Sequence, residues 1–421
     1  MVFSSVTFMF LFLPVVLLAY FLSPRMLRNY ILLFFSLLFY AWGEPIYSIL
    51  MILSIIVAYF TALLIDKYRK EEKHKKAKGV LLIAVVWNLG FLIFFKYTNL
   101  IIETVNSLSG IALQTLSLTL PIGISFYSFQ TLSYVIDVYR GDVKPQKNLC
   151  YLATYVSFFP QLIAGPIVRY QTIEEQLTSR KETVDKFTQG IIRFSIGLGK
   201  KVLLANQIGL LFTELTNLPL ASQSIIGVWL SVLAFGFQIY FDFSGYSDMA
   251  IGLGKMFGFD FLENFQYPYV SKSITEFWHR WHISLSTWFR DYVYIPLGGN
   301  RRGKWKHYRN ILIVWMLTGI WHGASWNFLM WGLYFGLLLL IEKIFLLKYL
   351  CKLPKFMQHL YALIFVFIGW ALFASDQTGG FILTLKSMFF MNQLPFINAE
   401  TIFYARNYFL RFYCIMSTLA S

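Results

Sequence analysis

From Val2 to Leu22 the chain carries no charged side chain. A helix needs about 20 apolar residues to cross a bilayer, and such runs recur at roughly 29–43, 45–65 and 80–103. In hydrocarbon each backbone N–H and C=O must be satisfied within the segment, which restricts such runs to helices. Charged residues are only 14% of the 421, against roughly 25% in a soluble domain, and mean hydropathy is +0.59. No polar stretch is long enough to form a soluble domain. The expectation is an all-α polytopic membrane protein built as one integral-membrane domain over 1–421. Its N-terminal spans would cover 1–110, a core about 111–350, and C-terminal spans 351–421.

The net charge of +15 falls in short loops between apolar segments. That distribution reports membrane topology and speaks against nucleic-acid binding. Lys67, Arg69, Lys70, Lys73, Lys75, Lys76 and Lys78 form one basic loop, and Arg25 and Arg28 form another. Placing both in the cytoplasm puts the N-terminus outside. A lipid-binding basic patch is compatible with the same loops. The first apolar run lacks a basic start and a small-residue cleavage site, so it reads as a retained span. Cys150, Cys351 and Cys414 are far apart and odd in number, implying neither a disulfide framework nor a metal site.

Interruptions in the apolar pattern mark the interior. Residues 111–139 are broken by Pro121-Ile122-Gly123 and sprinkled with hydroxyls, which suggests a broken or re-entrant helix. Gly165-Pro166 followed by Arg169 suggests a second re-entrant segment. Arg193, Lys200 and Lys201 sit in apolar sequence and are expected to snorkel to head groups. Asp242 and Asp248 could serve acid/base chemistry, though buried polar residues of this kind more often join helices. Spans at about 328–347 and 357–374 follow, then short weak ones at 380–392 and 402–419. No internal repeat is visible, which counts against a transporter or lipid flippase.

The richest chemistry lies between Glu276 and Trp326. It opens Glu276-Phe277-Trp278-His279-Arg280-Trp281-His282 and closes Trp321-His322-Gly323-Ala324-Ser325-Trp326. Ionisable groups in such apolar surroundings raise a functional-site hypothesis by default. If the opening run is helical, Glu276, His279 and Arg280 share a face and His282 stands one turn beyond His279. The two histidines would be half a metal site, but no third ligand stands at a familiar spacing, and no metal or bound cofactor is expected. Asn300, Arg301 and Arg302 begin a basic loop running to Asn310. That loop is either another cytoplasmic topology signal or a mouth for an anionic donor. His322 stands about twelve residues up the next helix, roughly 18 Å at 1.5 Å per residue and beyond the midplane. It suits proton transfer; a histidine hydrogen-bonded between helices is the other reading.

At these residues the chain resembles the membrane-bound O-acyltransferases, in particular the bacterial branch that includes the membrane subunit of alginate O-acetylation. The matching motifs are Pro160 to Ile167, Phe241 to Asp248, Phe277 to Asn300, and Trp321-His322-Gly323. The teichoic acid D-alanyl transferases share the Arg-Trp-His-x-Ser-Leu-Ser core but lack the Pro-Leu-Gly-Gly-Asn of 296–300, which favours acetyl transfer. His279 stands where arginine is common and is given no catalytic role. The C-terminal part is shorter than the family's usual pattern.

The resemblance implies about eleven spans plus re-entrant helices around a through-membrane channel in the bacterial inner membrane. His322 would be the catalytic histidine and His282 the second channel histidine. Trp281, Arg280, Glu276, Arg301, Arg302, Asn300, Trp321 and Ser325 would contribute to donor or substrate binding. Acetyl-CoA would donate from the cytoplasm to an exported polysaccharide, often through an extracytoplasmic SGNH-type partner with a Ser-His-Asp site. D-alanyl or peptidoglycan O-acyl transfer would be alternatives on the same fold.

Overall fold

The computed structural model describes residues 1–420 apart from 164, 390 and 391, and from 410 onward only the course of the backbone. Among the described residues all regular elements are helical, and six helices are long and apolar enough to cross a membrane. The chain is a polytopic, all-α membrane protein. Two compact units form, one of residues 1–196 and 246–262, the other of 197–245 and 263–421.

The first unit contains α1 (Leu13–Leu22), α2 (Arg28–Gly43), α3 (Tyr47–Lys70), α4 (His74–Ser109), α5 (Ile124–Arg140), α6 (Leu149–Ser157) and most of α7 (Val184–Gly199). Helices stop where the sequence places breakers: Ser23-Pro24 after α1 and Glu44-Pro45 after α2. Asn148 caps α6 by accepting from the backbone N–H groups of Cys150 and Tyr151. At 36 residues α4 is about 54 Å long, more than a hydrocarbon core of about 30 Å requires.

Two expectations fail in this unit. Residues 111–120 form no helix, so the broken-helix reading holds only for its second half, α5. The side chain of Asn99 exchanges two hydrogen bonds with the backbone of Leu116, and that of Asn106 two with Leu113. Those amides satisfy backbone groups that a helix would otherwise pair internally. Nor does Arg193 simply snorkel: its guanidinium meets the Asp248 carboxylate at 2.6 Å. The proposed turn at Gly165-Pro166 is non-helical through residue 169, and its Ala164 lies outside the described residues.

In the second unit Lys201 likewise pairs with Asp242 at 2.6 Å. A carboxylate one helix away is a better partner for a cation in apolar surroundings than a distant head group. Both aspartates therefore tie helices together. Helix α8 (Ile225–Met256) is unbroken despite its glycines.

The second unit also holds α9 (Ile274–Arg280), α10 (Ile283–Phe289), α11 (Lys304–His322), α12 (Trp326–Ile341) and α13 (Lys355–Phe373). Helices Phe381–Met388 and Ala399–Ala420 follow. Its core is aromatic: Trp278, Trp331, Phe335 and Trp370 are buried and meet largely edge to face. Between α11 and α12 the backbones nearly touch. A Cβ on Gly332 would collide with the Trp315 carbonyl oxygen, and one on Gly319 with that of Phe328. Small residues at such crossings are how membrane helices gain packing without a hydrophobic drive.

Candidate functional site

Helix α9 is short and fixed at its start. Ser273 caps it, accepting from Glu276 N at 3.0 Å, while the Glu276 carboxylate accepts from Lys272 N at 2.9 Å. This is a near relative of the capping box. The buried carboxylate of Glu342 accepts from Ile274 N at 2.7 Å, Thr275 N at 2.8 Å and the Thr275 hydroxyl at 2.6 Å. A negative group there meets the positive end of the helix and two backbone donors that have no partner inside it.

The helical run then breaks. Trp281 is extended and His282 adopts φ 45°, ψ 54° in the left-handed region, before α10 begins at Ile283. The expectation of one helix through 276–282 is overturned, because the helix ends at Arg280; His279 is exposed and His282 is 2% exposed, yet both line one cavity. The cause is a tertiary clamp. Gln266 N donates to Arg280 O at 3.0 Å, and Ile283 N to Asn264 O at 3.0 Å. These bonds replace the helical ones across the break. The Asn264 side-chain oxygen accepts from Ser284 N at 3.1 Å and from the Ser284 hydroxyl at 2.9 Å. It also lies 3.2 Å from His282 Nδ1. A left-handed non-glycine residue costs about 1–3 kcal/mol and persists only where surroundings over-determine it.

Helix α11 is uninterrupted, and His322 is its last residue. Trp331 and Phe373 approach the half-buried His322 ring at 5.0 and 5.5 Å between centroids. Ile311, Val314, Trp315, Thr318 and His322 form one face of α11 along a cavity of about 440 Å³. The facing wall comes from the broken segment: Trp278, His279, Trp281, His282, Leu285 and Ser286, with Arg290 and Tyr294. His282 and His322, forty residues apart, thus line the same chamber. Its volume lies within the range of small-molecule sites.

The other expected site residues divide. Trp281 lines the cavity. Trp321 does not, but its ring centroid lies 6.0 Å from that of His282. Glu276 and Arg280 pair at 2.9 Å, and Arg280 also donates to Gln266 O, so both brace the break. Ser325 caps α12 by accepting from Asn327 N. Asn300, Arg301 and Arg302 are exposed and do not line the cavity. The basic loop is shorter than expected, because Gly303 at φ 94° starts α11 at Lys304. Buried Asn310 then holds the preceding turn through the carbonyls of Leu297 and Gly299.

Sequence reasoning missed Asn264 and Glu342 of this site. The Ser273-x-x-Glu276 spacing could have revealed the start of α9; nothing local announces Asn264. Among the described residues no group of three or more His, Cys, Asp or Glu side chains is placed to hold a metal.

Comparison with known proteins fits this geometry. Along 383 residues the chain is 45% identical to a probable alginate O-acetylase of Pseudomonas syringae, covering 90% of this chain and 73% of that one. It is 34% identical to a peptidoglycan O-acetyltransferase of Helicobacter pylori, covering 93% and 80%. It is also 34% identical to a teichoic acid D-alanyltransferase of Bacillus subtilis, over only 52% and 58%. The pattern of the membrane-bound O-acyltransferase family matches residues 144–375. With its two histidines on one chamber and this similarity along most of its length, the chain belongs to the membrane-bound O-acyltransferase family and is an O-acyltransferase.

Proposed function

We propose that this protein is a membrane O-acetyltransferase of the bacterial inner membrane. It moves acetyl from cytoplasmic acetyl-CoA to an exported polysaccharide, or to an SGNH-type partner that acetylates the polymer. The single observation that carries this is the placement of His282 and His322 on one cavity. The O-acetylase relatives, aligned over about nine-tenths of the chain, supply the acyl group and the acceptor class.

A thioester is already activated, so the chemistry needs little beyond position and a base. His322 takes the proton of the acceptor hydroxyl as its oxygen attacks the acetyl carbon. The C–S bond breaks, and the departing thiolate recovers the proton. General-base help of this kind is worth roughly 10²–10⁴-fold. The α11 face from Ile311 to His322 spans eleven residue rises, about 16 Å, so donor and acceptor meet from opposite ends. The exposed Arg301 and Arg302, with Lys304 and Lys306, hold the donor's phosphates at a cytoplasmic mouth. In this reading the N-terminus is outside, the catalytic core is about 111–350, and about eleven spans with re-entrant helices surround a through-membrane channel.

Peptidoglycan is the second acceptor to consider, because the Helicobacter pylori relative aligns over 93% of the chain. The test is to replace His322 with Ala and measure ester-linked acetate on exported polysaccharide and on peptidoglycan. Loss of acetate from one polymer, at normal protein level, names the acceptor. Unchanged acetate on both ends the proposal.

A further inference from the structure

We infer that Asn264 is a positioning residue that fixes the tautomer of His282, so that the ring keeps its hydrogen on Nδ1 and a free electron pair on Nε2. The inference takes the acyl-transfer reading as its setting and concerns what His282 does within it.

Orientation of the Asn264 amide decides the matter. Its Oδ1 faces the backbone N–H of Ser284 at 3.1 Å, a group that can only donate. Reversing the amide would set NH₂ against N–H, donor against donor, whereas the Ser284 hydroxyl at 2.9 Å can pair with either end of the amide. The side-chain oxygen is therefore the acceptor at this point. His282 Nδ1, 3.2 Å from the same oxygen, must donate to it. In a neutral imidazole the other nitrogen is then without a hydrogen. That nitrogen, Nε2, is buried and has no hydrogen-bond partner, on a ring that is 2% exposed and belongs to the cavity wall. The backbone of the same asparagine also holds the turn, through Ile283 N to Asn264 O. One residue thus sets where the ring stands and which nitrogen is basic.

The consequence separates two roles. A ring with Nε2–H would donate to a thioester carbonyl and stabilise its developing charge. A ring with a bare Nε2 cannot; it accepts a hydrogen bond or a proton from a group brought to it. The geometry points to the accepting role, with His282 as a proton relay or an anchor for a donor N–H.

The test uses the full chain in lipid vesicles, labelled with ¹⁵N-histidine and read by solid-state NMR at neutral pH. Six histidines contribute, and the His282 signals are assigned by their absence in His282→Gln. The expected spectrum has a protonated Nδ1 and an unprotonated Nε2 at His282. A protonated Nε2, as the other tautomer or as imidazolium, overturns the inference. Asn264→Ala, provided it is folded, should mix the tautomers and lower kcat on the order of 10²-fold with KM for acetyl-CoA nearly unchanged. A folded variant with an unaltered His282 spectrum also overturns it. Failure here leaves the acyl-transfer reading standing, since that depends on His322→Ala and acetate release and not on this spectrum.

Discussion

The two walls of the cavity are built in opposite ways. One is a face of α11, an uninterrupted helix in which Ile311, Val314, Thr318 and His322 follow from spacing alone. The other is two seven-residue helices joined at a left-handed histidine, held by bonds from Asn264, Gln266 and Glu342. Placing a side chain by helix arithmetic costs nothing special. Placing one on a strained turn needs a surrounding shell that pins it. His322 thus depends on its own helix, and His282 on residues far from it in sequence.

Substitution can break that contrast, and the largest effect is expected at the strained turn. Asn tolerates the left-handed region better than most side chains, so His282→Asn should leave thermal stability in detergent within about 1 kcal/mol. Acetyl transfer should still fall on the order of 10²-fold, measured as radiolabel incorporated from acetyl-CoA. Full activity would show that the turn needs only its shape. Next in size is the uninterrupted wall. Gly332→Leu drives a side chain into the Trp315 carbonyl of α11 and should destabilise by about 1–3 kcal/mol, seen as a lower Tm. An unchanged Tm would mean that the α11–α12 approach is looser than the structure has it. Smallest is the cap: Ser273→Ala removes the bond to Glu276 N and should cost about 1 kcal/mol by denaturant or thermal titration.

The same contrast explains what could be read in advance. Apolar length located the helices Tyr47–Lys70, His74–Ser109 and Lys355–Phe373, because a bilayer imposes that length. The Glu276–Arg280 pair follows from an i, i+4 spacing, whereas the helix ending at His322 starts at Lys304, before the Asn310 from which its rise is counted. His282 is recognisable as a site residue, but the helical reading misses the turn that holds it. Its turn is set by Asn264, eighteen positions earlier, and no local propensity encodes a bond of that kind. Residues 111–120 were misread for a related reason: side chains of Asn99 and Asn106 take up backbone groups that the apolar pattern assigns to a helix. Arg193 and Lys201 were read without their partners, since Asp248 and Asp242 lie on a different helix.

The central claim is that His282 and His322 serve one chamber and one reaction. A double-mutant measurement tests it most directly: acetyl transfer from labelled acetyl-CoA in inverted membrane vesicles, compared for His282→Ala, His322→Ala and the two combined. Residues acting as one unit are strongly non-additive. The account predicts that the double variant is about as slow as the slower single one. Losses that multiply, as for two independent sites, would contradict it.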